Sequence, residues 1–341
     1  MTRRLLFPVL VAVLLGTGVA RAGSPAAFTE IAKEKSDVTI VVTDSGLGGL
    51  SVAADLAARL PASGIVRSAR VVFVNAEPNS AWGFNDLKND ADKVRIFDGA
   101  LSAMEARYKP DLILIACNTL SVVWPRTEHA KTGGVETVEI VGLGAGLIRK
   151  ELAAKPDATA LVFATKTTIE SEAHKNLLVA QGVAPDHVVG EACPKLAGAI
   201  ERGAASDETV GYVKKFVAEA LEKKTTRGGP LVVSLNCTHY GYVRPLWEQA
   251  FAGAGYPGVK VLDPNSLMTD LVLKEGGEKR FPKTAVTVEA VSKVPVDDGT
   301  RANLGALLRK TSPETADALM RIRYDPALFP AAVEAGGVIP R

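Results

Sequence analysis

Two cysteines carry most of the chemical information in this chain. Cys117 and Cys237 stand 120 residues apart, in Ala116-Cys117-Asn118-Thr119 and Asn236-Cys237-Thr238-His239. Each follows an apolar run and precedes a polar residue and a threonine. A thiol at the carboxyl end of a strand, just before a helix, lies near free backbone N–H groups. These lower its pKa from ~8.5 toward neutrality, and they also hold an anion such as a carboxylate. Two such thiols facing each other across a carboxylate site could take a proton from one face and return it on the other. His239, two residues after Cys237, reads as part of the same chemistry. Other uses stay open. Cys117, Cys237 and His239 could supply three zinc ligands, though no C-x-x-C spacing is present and a Cys–His pair at i, i+2 is uncommon. A disulfide between the two cysteines is open in an oxidising compartment, and a free Cys is often only a small buried hydrophobe. Cys193, in Ala192-Cys193-Pro194, reads as structural. His129, His174 and His187 lie in polar, unpatterned surroundings and read as surface.

Alternating strands and helices must position these residues. Residues 39–43, 71–74, 112–116, 160–164 and 231–235 are apolar runs of buried-strand type, and 284–291 is another strand-like run. Residues 88–108 carry Ala91, Val94, Phe97, Leu101, Met104 and Tyr108 three or four apart, as on one helix face. Further helical stretches run from Gly49 to Leu60, over 207–223 with Ser206 as N-cap, and over 303–310. Ser45 and Thr165 begin polar turns after the first and fourth runs, and they too are 120 residues apart. The shared offset predicts an internal duplication: an α/β chain with two pseudo-symmetric, open, parallel-sheet halves. Ligands of open α/β sheets sit at the carboxyl ends of strands, where all four polar turns lie.

The glycine-rich turns are less specific. Asp44-Ser45-Gly46-Leu47-Gly48-Gly49 lacks the third glycine of a dinucleotide loop, and no acid follows at the ribose-binding distance. A tight strand-to-helix turn explains the glycines but not a charged Asp44 at a strand's end. Residues 142–146, Gly-Leu-Gly-Ala-Gly, read as a plain turn.

The ends and the composition bound the rest. Arg3 and Arg4, an apolar stretch over 5–19 and Ala20-Arg21-Ala22 form a secretory signal peptide over residues 1–22, too short for a membrane span. A twin-arginine route and an uncleaved anchor are the alternatives. Residues 23–37 read as a flexible lead-in and 321–341 as an irregular tail. With 47 % hydrophobic and 23 % charged residues the chain is globular rather than disordered. The net charge of +2 with no basic stripe speaks against nucleic acid as a partner. Three cysteines in 341 residues cannot form a disulfide framework.

Three blocks together resemble the aspartate/glutamate racemase family, and among its members glutamate racemase: Asp44-Ser45-Gly46-Leu47-Gly48-Gly49-Leu50-Ser51-Val52, Ala116-Cys117-Asn118-Thr119-Leu120-Ser121 and Asn236-Cys237-Thr238-His239-Tyr240. The resemblance covers roughly residues 38–295. It implies two similar α/β domains with the active site between them, 38–140 plus 260–320 forming the first and 141–259 the second. It also implies a cofactor-independent racemisation without metal, in which Cys117 and Cys237 are the acid–base residues. Asp44 would assist Cys117, His239 would assist Cys237, and Glu201 matches the family's second carboxylate near the site. Ser45, Asn118, Thr119, Thr165 and Thr238 match substrate-binding positions, and Trp82 and Gly83 fall in the substrate loop. That loop departs from the family's Pro-Tyr-Gly, reading Ala81-Trp82-Gly83. Ala76 replaces an Asp, and Asn236 replaces the Gly before the second Cys. Glutamate racemases are normally cytoplasmic and supply D-glutamate for cell-wall peptidoglycan, whereas this chain reads as exported to the periplasm. The expected partner is therefore an amino acid, glutamate or a related acidic one, with the membrane met only during export and a homodimer as one assembly. An aspartate or broad-specificity racemase and an exported, non-catalytic amino-acid binder are the competing readings.

Overall fold

The strongest apolar runs fold into the centres of two parallel sheets. The structure, a computed structural model, describes residues 26–226, 228–275, 277–333 and 336–338. The expected signal peptide, residues 1–22, lies outside the described residues. The strands are β1 (Asp37–Asp44), β2 (Ser68–Asn75), β3 (Leu112–Ile115), β4 (Thr137–Glu139), β5 (Thr159–Ala164), β6 (Val188–Ala192), β7 (Leu231–Asn236), β8 (Lys260–Leu262), β9 (Ala285–Ser292) and β10 (Arg323–Tyr324). One sheet has the order β10-β9-β2-β1-β3-β4 and the other β6-β5-β7-β8. Every strand pair within them is parallel.

The duplication expected from the spacing is visible in this topology. The order β2-β1-β3-β4 in the first sheet repeats as β6-β5-β7-β8 in the second. Ile40 pairs with Val71 between β1 and β2 as Ala160 pairs with Val188 between β5 and β6, and β3 ends two residues before Cys117 as β7 ends one residue before Cys237. Parallel strands covered by helices on both faces read as continuous apolar runs, and β3, β5 and β7 are buried along their whole length. Side chains alternate between faces. Ile40 and Val42 enter one apolar cluster and Val41 the opposite one. Leu161 and Phe163 likewise separate from Ala160 and Val162. Cys117 belongs to a cluster of the first sheet and Cys237 to one of the second.

Several expectations need correction. Residues 23–37 are not simply a flexible lead-in: Ala26–Glu34 is a helix whose Phe28 and Ala32 are buried in the first core. The Gly-rich 142–146 stretch is not a turn but lies inside the helix Ile140–Ala154, where the apolar stripe of Ile140, Val141, Ala145 and Ile148 overrides the glycines. The return to the first domain, expected at 260, comes later, because β8 pairs with β7 in the second sheet. The tail over 321–341 adds β10 beside β9, and Leu328 and Phe329 are buried against the helix Asp90–Tyr108 side of the first sheet. Ser206 caps the helix Asp207–Lys223 as expected, accepting from the Thr209 N–H. Among the described residues, no helix is long and apolar enough to cross a membrane.

Candidate active site between the two sheets

The first thiol is set by the end of β3. Cys117 is the residue before the helix Asn118–Val123, and its side chain is 6 % exposed as a residue. Ser45, in the turn after β1, places its Oγ 3.1 Å from Cys117 Sγ. Asp44, the last residue of β1, is buried beside it. Burial raises the Asp44 pKa, opposed by the charge of His239 and by hydrogen bonds from Thr238 and Cys117. The Cys117 thiol is pushed well above its usual range, first by burial and then by the Asp44 charge. The expectation that backbone N–H groups bring this thiol toward neutrality is therefore corrected. Backbone bonds act in that direction, but in a buried pocket desolvation of a thiolate and a neighbouring carboxylate outweigh them.

The second thiol follows β7. Cys237 Sγ lies 3.7 Å from His239 Nδ1, and the other face of that ring, Nε2, is 2.7 Å from Glu201 Oε1. Burial by itself would lower the His239 pKa, but hydrogen bonds to Cys237 and Glu201 and the Glu201 charge hold it well above the ordinary value. Each ring nitrogen has a partner able to accept, so these contacts favour the protonated ring, in which both nitrogens donate. Glu201 stands on the helix Leu196–Arg202, seven residues after Pro194, in the segment that follows β6.

The two half-sites are tied across the boundary. Thr238 Oγ1 donates to Asp44 Oδ2 at 2.7 Å, and the Leu47 N–H donates to Glu201 Oε1 at 3.2 Å. Thr119 and Thr165 hydroxyls meet at 2.7 Å, and Thr165 also meets Thr168 at 3.0 Å. The Thr167 N–H donates to Asn85 Oδ1 at 3.0 Å, linking the segment after Trp82-Gly83 to the second sheet. A Cβ added at Gly48 would lie 2.2 Å from Thr238 Oγ1 and 2.5 Å from His239 Nδ1. Only a glycine lets the turn after β1 rest on the Cys237 motif.

Of the residues expected at the site, Asp44, Ser45, Cys117, Glu201, Cys237, Thr238 and His239 are brought into one network, with Thr119 and Thr165 in a second contact. The Thr238 hydroxyl serves Asp44. Asn118 is different: both its amide atoms are buried without a hydrogen-bond partner, which leaves it a donor and an acceptor for a bound molecule. Trp82 packs on the apolar cluster that includes Cys117, while the Gly83 N–H is turned to Asp86 Oδ2 at 2.8 Å. At the departures from the family pattern, Ala76 is fully buried, its N–H donating to the Asp44 carbonyl at 2.7 Å. The Asn236 amide donates to Ser234 Oγ within its own strand at 3.1 Å.

Histidine assignments divide. His174, expected at the surface, is buried, and burial pushes its pKa down to about 4. It sits on the inner face of the helix Ala173–Ala180, one turn from Leu178, and the polar neighbours in sequence gave no sign of that face. Cys193 is buried in the core, as a structural cysteine would be. All three cysteines are free thiols. Among the described residues, no group of three or more His, Cys, Asp or Glu could hold a metal ion. Sequence reasoning missed Asn265, whose Nδ2 donates to the Thr238 carbonyl and to Ser51 Oγ, both at 3.1 Å. Its only sequence signal is its place directly after β8 and Pro264, another strand end.

No family model matches the chain. It is 32 % identical to a glutamate racemase of Streptococcus uberis over 206 residues, 60 % of this chain and 69 % of that protein. It is 30 % identical to a glutamate racemase of Streptococcus suis over 224 residues, 64 % and 74 % of the two chains. The fold is similar to that of glutamate racemase from Francisella tularensis in complex with D-glutamate, with a TM-score of 0.60 at 18 % identity over 81 % of this chain and 95 % of that one. The glutamate racemase from Aquifex pyrophilus gives a TM-score of 0.56 at 20 % identity, over 80 % and 95 % of the two chains.

Proposed function

Because the chain belongs to the aspartate/glutamate racemase family, we propose that it interconverts the L and D forms of glutamate or a related acidic amino acid without a cofactor. Cys117 and Cys237 are the two acid–base groups in this reading. The observation that supports it most is that each thiol has its own polar partners, Asp44 and Ser45 at Cys117, His239 and Glu201 at Cys237. A binding protein has no use for two separately equipped thiols.

The proton arithmetic is simple. One cysteine, as thiolate, takes the α-proton, and the electron pair of the broken C–H bond moves toward the substrate carboxylate. The opposite cysteine, as thiol, gives its proton to the other face of the α-carbon. The two sulfurs finish with their protonation states exchanged, and solvent protons restore them. The deprotonated intermediate is the costly state, and hydrogen bonds to the substrate carboxylate are what lower it. The unpartnered Asn118 amide is suited to that task. Burial keeps Cys117 a thiol at rest, so an arriving ammonium group close to Asp44 is the natural trigger for thiolate formation there.

Residues 1–22 would direct export, with cleavage near Ala22 and a periplasmic location. Ala76 and Trp82 shift the preference away from strict glutamate, since a carboxylate and a phenol hydroxyl are replaced by a methyl and an indole N–H. The test is incubation of the purified protein with single L- and D-amino acids in D2O. Deuterium entering the α-carbon with loss of optical rotation is expected for acidic amino acids. Binding without exchange would instead favour the non-catalytic reading, and exchange across many amino acids the broad-specificity one. The mass of the N-terminal peptide in protein taken from the periplasmic fraction checks export, with a chain starting near Gly23 as the expected result.

A further inference from the structure

Glu201 reaches His239 from the end of a short helix, and that end is held by the other domain. The helix Leu196–Arg202 ends at Gly203, and the last carbonyls of any helix have no partner within it. Here two of them are satisfied by one side chain. Asn303 Nδ2 donates to the Ile200 carbonyl at 2.8 Å and to the Glu201 carbonyl at 2.9 Å. Its Oδ1 accepts from the Ala204 N–H at 3.4 Å. Asn303 lies on the helix Asp298–Leu308, which is rooted in the first domain's core through Leu304 and Leu308.

Glu201 is thereby fixed twice to the first domain, its backbone by Asn303 and its carboxylate by the Leu47 N–H. The same Oε1 that accepts from Leu47 accepts from His239 Nε2 at 2.7 Å. The chain of contacts runs from Asn303 through Glu201 and His239 to Cys237, and it does not include Cys117.

We propose that Asn303 is a positioning residue for one half of the reaction: by pinning the main chain at Glu201 to the first domain, it keeps the Glu201 carboxylate on His239 and so maintains the proton-transfer competence of Cys237. This rests on the racemase reading above. The proposal differs from a role in general stability because its consequence is one-sided. Loss of the pin acts directly on proton transfer at the Cys237 face and reaches the Cys117 face only indirectly, through the charge of His239 near Asp44.

Asn303→Asp keeps the size of the side chain, removes both donated N–H bonds and sets a carboxylate against two carbonyl oxygens. Asn303→Ser, which retains one shorter donor, takes its place if the Asp variant does not fold. The informative assay is elimination from the two enantiomers of a β-chloro analogue of the wild-type substrate. There a single base removes the α-proton, the C–H electron pair forms the α,β double bond, and the C–Cl bond breaks to release chloride. Only the base on one face is needed for each enantiomer. We expect elimination from one enantiomer to fall about 10- to 100-fold, the range for a misplaced catalytic group, and from the other to stay within about twofold. Racemisation should lose kcat with KM nearly constant, as when an interaction specific to the transition state is removed. Equal losses from both enantiomers, or a folded variant with wild-type elimination from both, overturn the proposal. A wild type that neither exchanges nor eliminates overturns the racemase reading itself.

Discussion

The Thr238 hydroxyl donates to the Asp44 carboxylate at 2.7 Å, so the residue that follows one thiol holds the acid beside the other. The reverse tie also exists, because the Leu47 N–H, three residues past Asp44, donates to the carboxylate that serves His239. Each half-site is completed by an atom from the opposite domain. Buried polar groups in such a network strengthen one another when satisfied and cost much when one partner is removed.

Thr238→Val tests that dependence, since valine keeps the shape and removes the donor. A hydrogen bond to a charged group is worth about 1.5–3 kcal/mol, which corresponds to a loss of turnover of roughly 10- to 100-fold. Thr238→Ser should recover most of the activity, because it restores the hydroxyl. Turnover measured for the two variants side by side decides the matter. Equal activity of Val and Ser variants would show that Asp44 does not need this donor.

Replacing Cys117 or Cys237 by Ala should abolish racemisation in either case. In the proposed mechanism each sulfur serves one face of the α-carbon, and a methyl group neither takes nor gives a proton. Elimination from a β-chloro substrate should survive in each single variant for one handedness only, and for opposite handedness in the two variants. A single variant that still racemises at the wild-type rate would rule out the two-thiol mechanism.

Much of this arrangement was legible before the fold was known, for a physical reason. Buried parallel strands are apolar along their length, so β1, β3, β5 and β7 announce themselves, and the polar residues at their ends stand out as site candidates. The edge strands β4, β8 and β10 have two or three residues and carry no such pattern. Long-range partners were invisible. Nothing around Asn265 or Asn303 in the sequence says that their amides close hydrogen bonds to the Thr238 and Glu201 carbonyls. The burial of His174 is not legible in the sequence, because polar neighbours on a helix say little about which face a given residue occupies. The raised proton affinity of Cys117 is not legible either, because sequence shows the helix that follows it but not the burial around it.

Gly48→Ala should damage the site more than the fold. The added methyl would fall 2.2 Å from Thr238 Oγ1 and 2.5 Å from His239 Nδ1, forcing the turn after β1 off the Cys237 motif. Overpacking of this kind costs about 1–3 kcal/mol. Both displaced atoms belong to the proposed acid–base machinery, so turnover should drop by at least tenfold while most of the protein stays folded. Circular dichroism melting beside an activity assay separates the two effects. A variant that melts early but turns over normally when cold would show that the strain falls on the fold and not on the site.

The His239–Glu201 pair should make stability depend on pH with a definite sign. His239 has a folded pKa held well above its ordinary value of ~6.5, because bonds to Cys237 and Glu201 outweigh the effect of burial. A group with a raised folded pKa adds stability that is fully present below its unfolded pKa and is lost as pH rises through the folded one. Glu201→Gln keeps the length of the side chain and removes the charge that supports the imidazolium. The stability gap between wild type and this variant should therefore be about 1.5–3 kcal/mol near pH 6, the scale of a charge-assisted hydrogen bond, and narrow steadily toward alkaline pH. Denaturant unfolding at a series of pH values from about 6 upward measures the gap directly. A gap that stays flat over the whole series would mean that His239 is neutral in the folded protein, and the support proposed for Cys237 through a protonated ring would fall with that result.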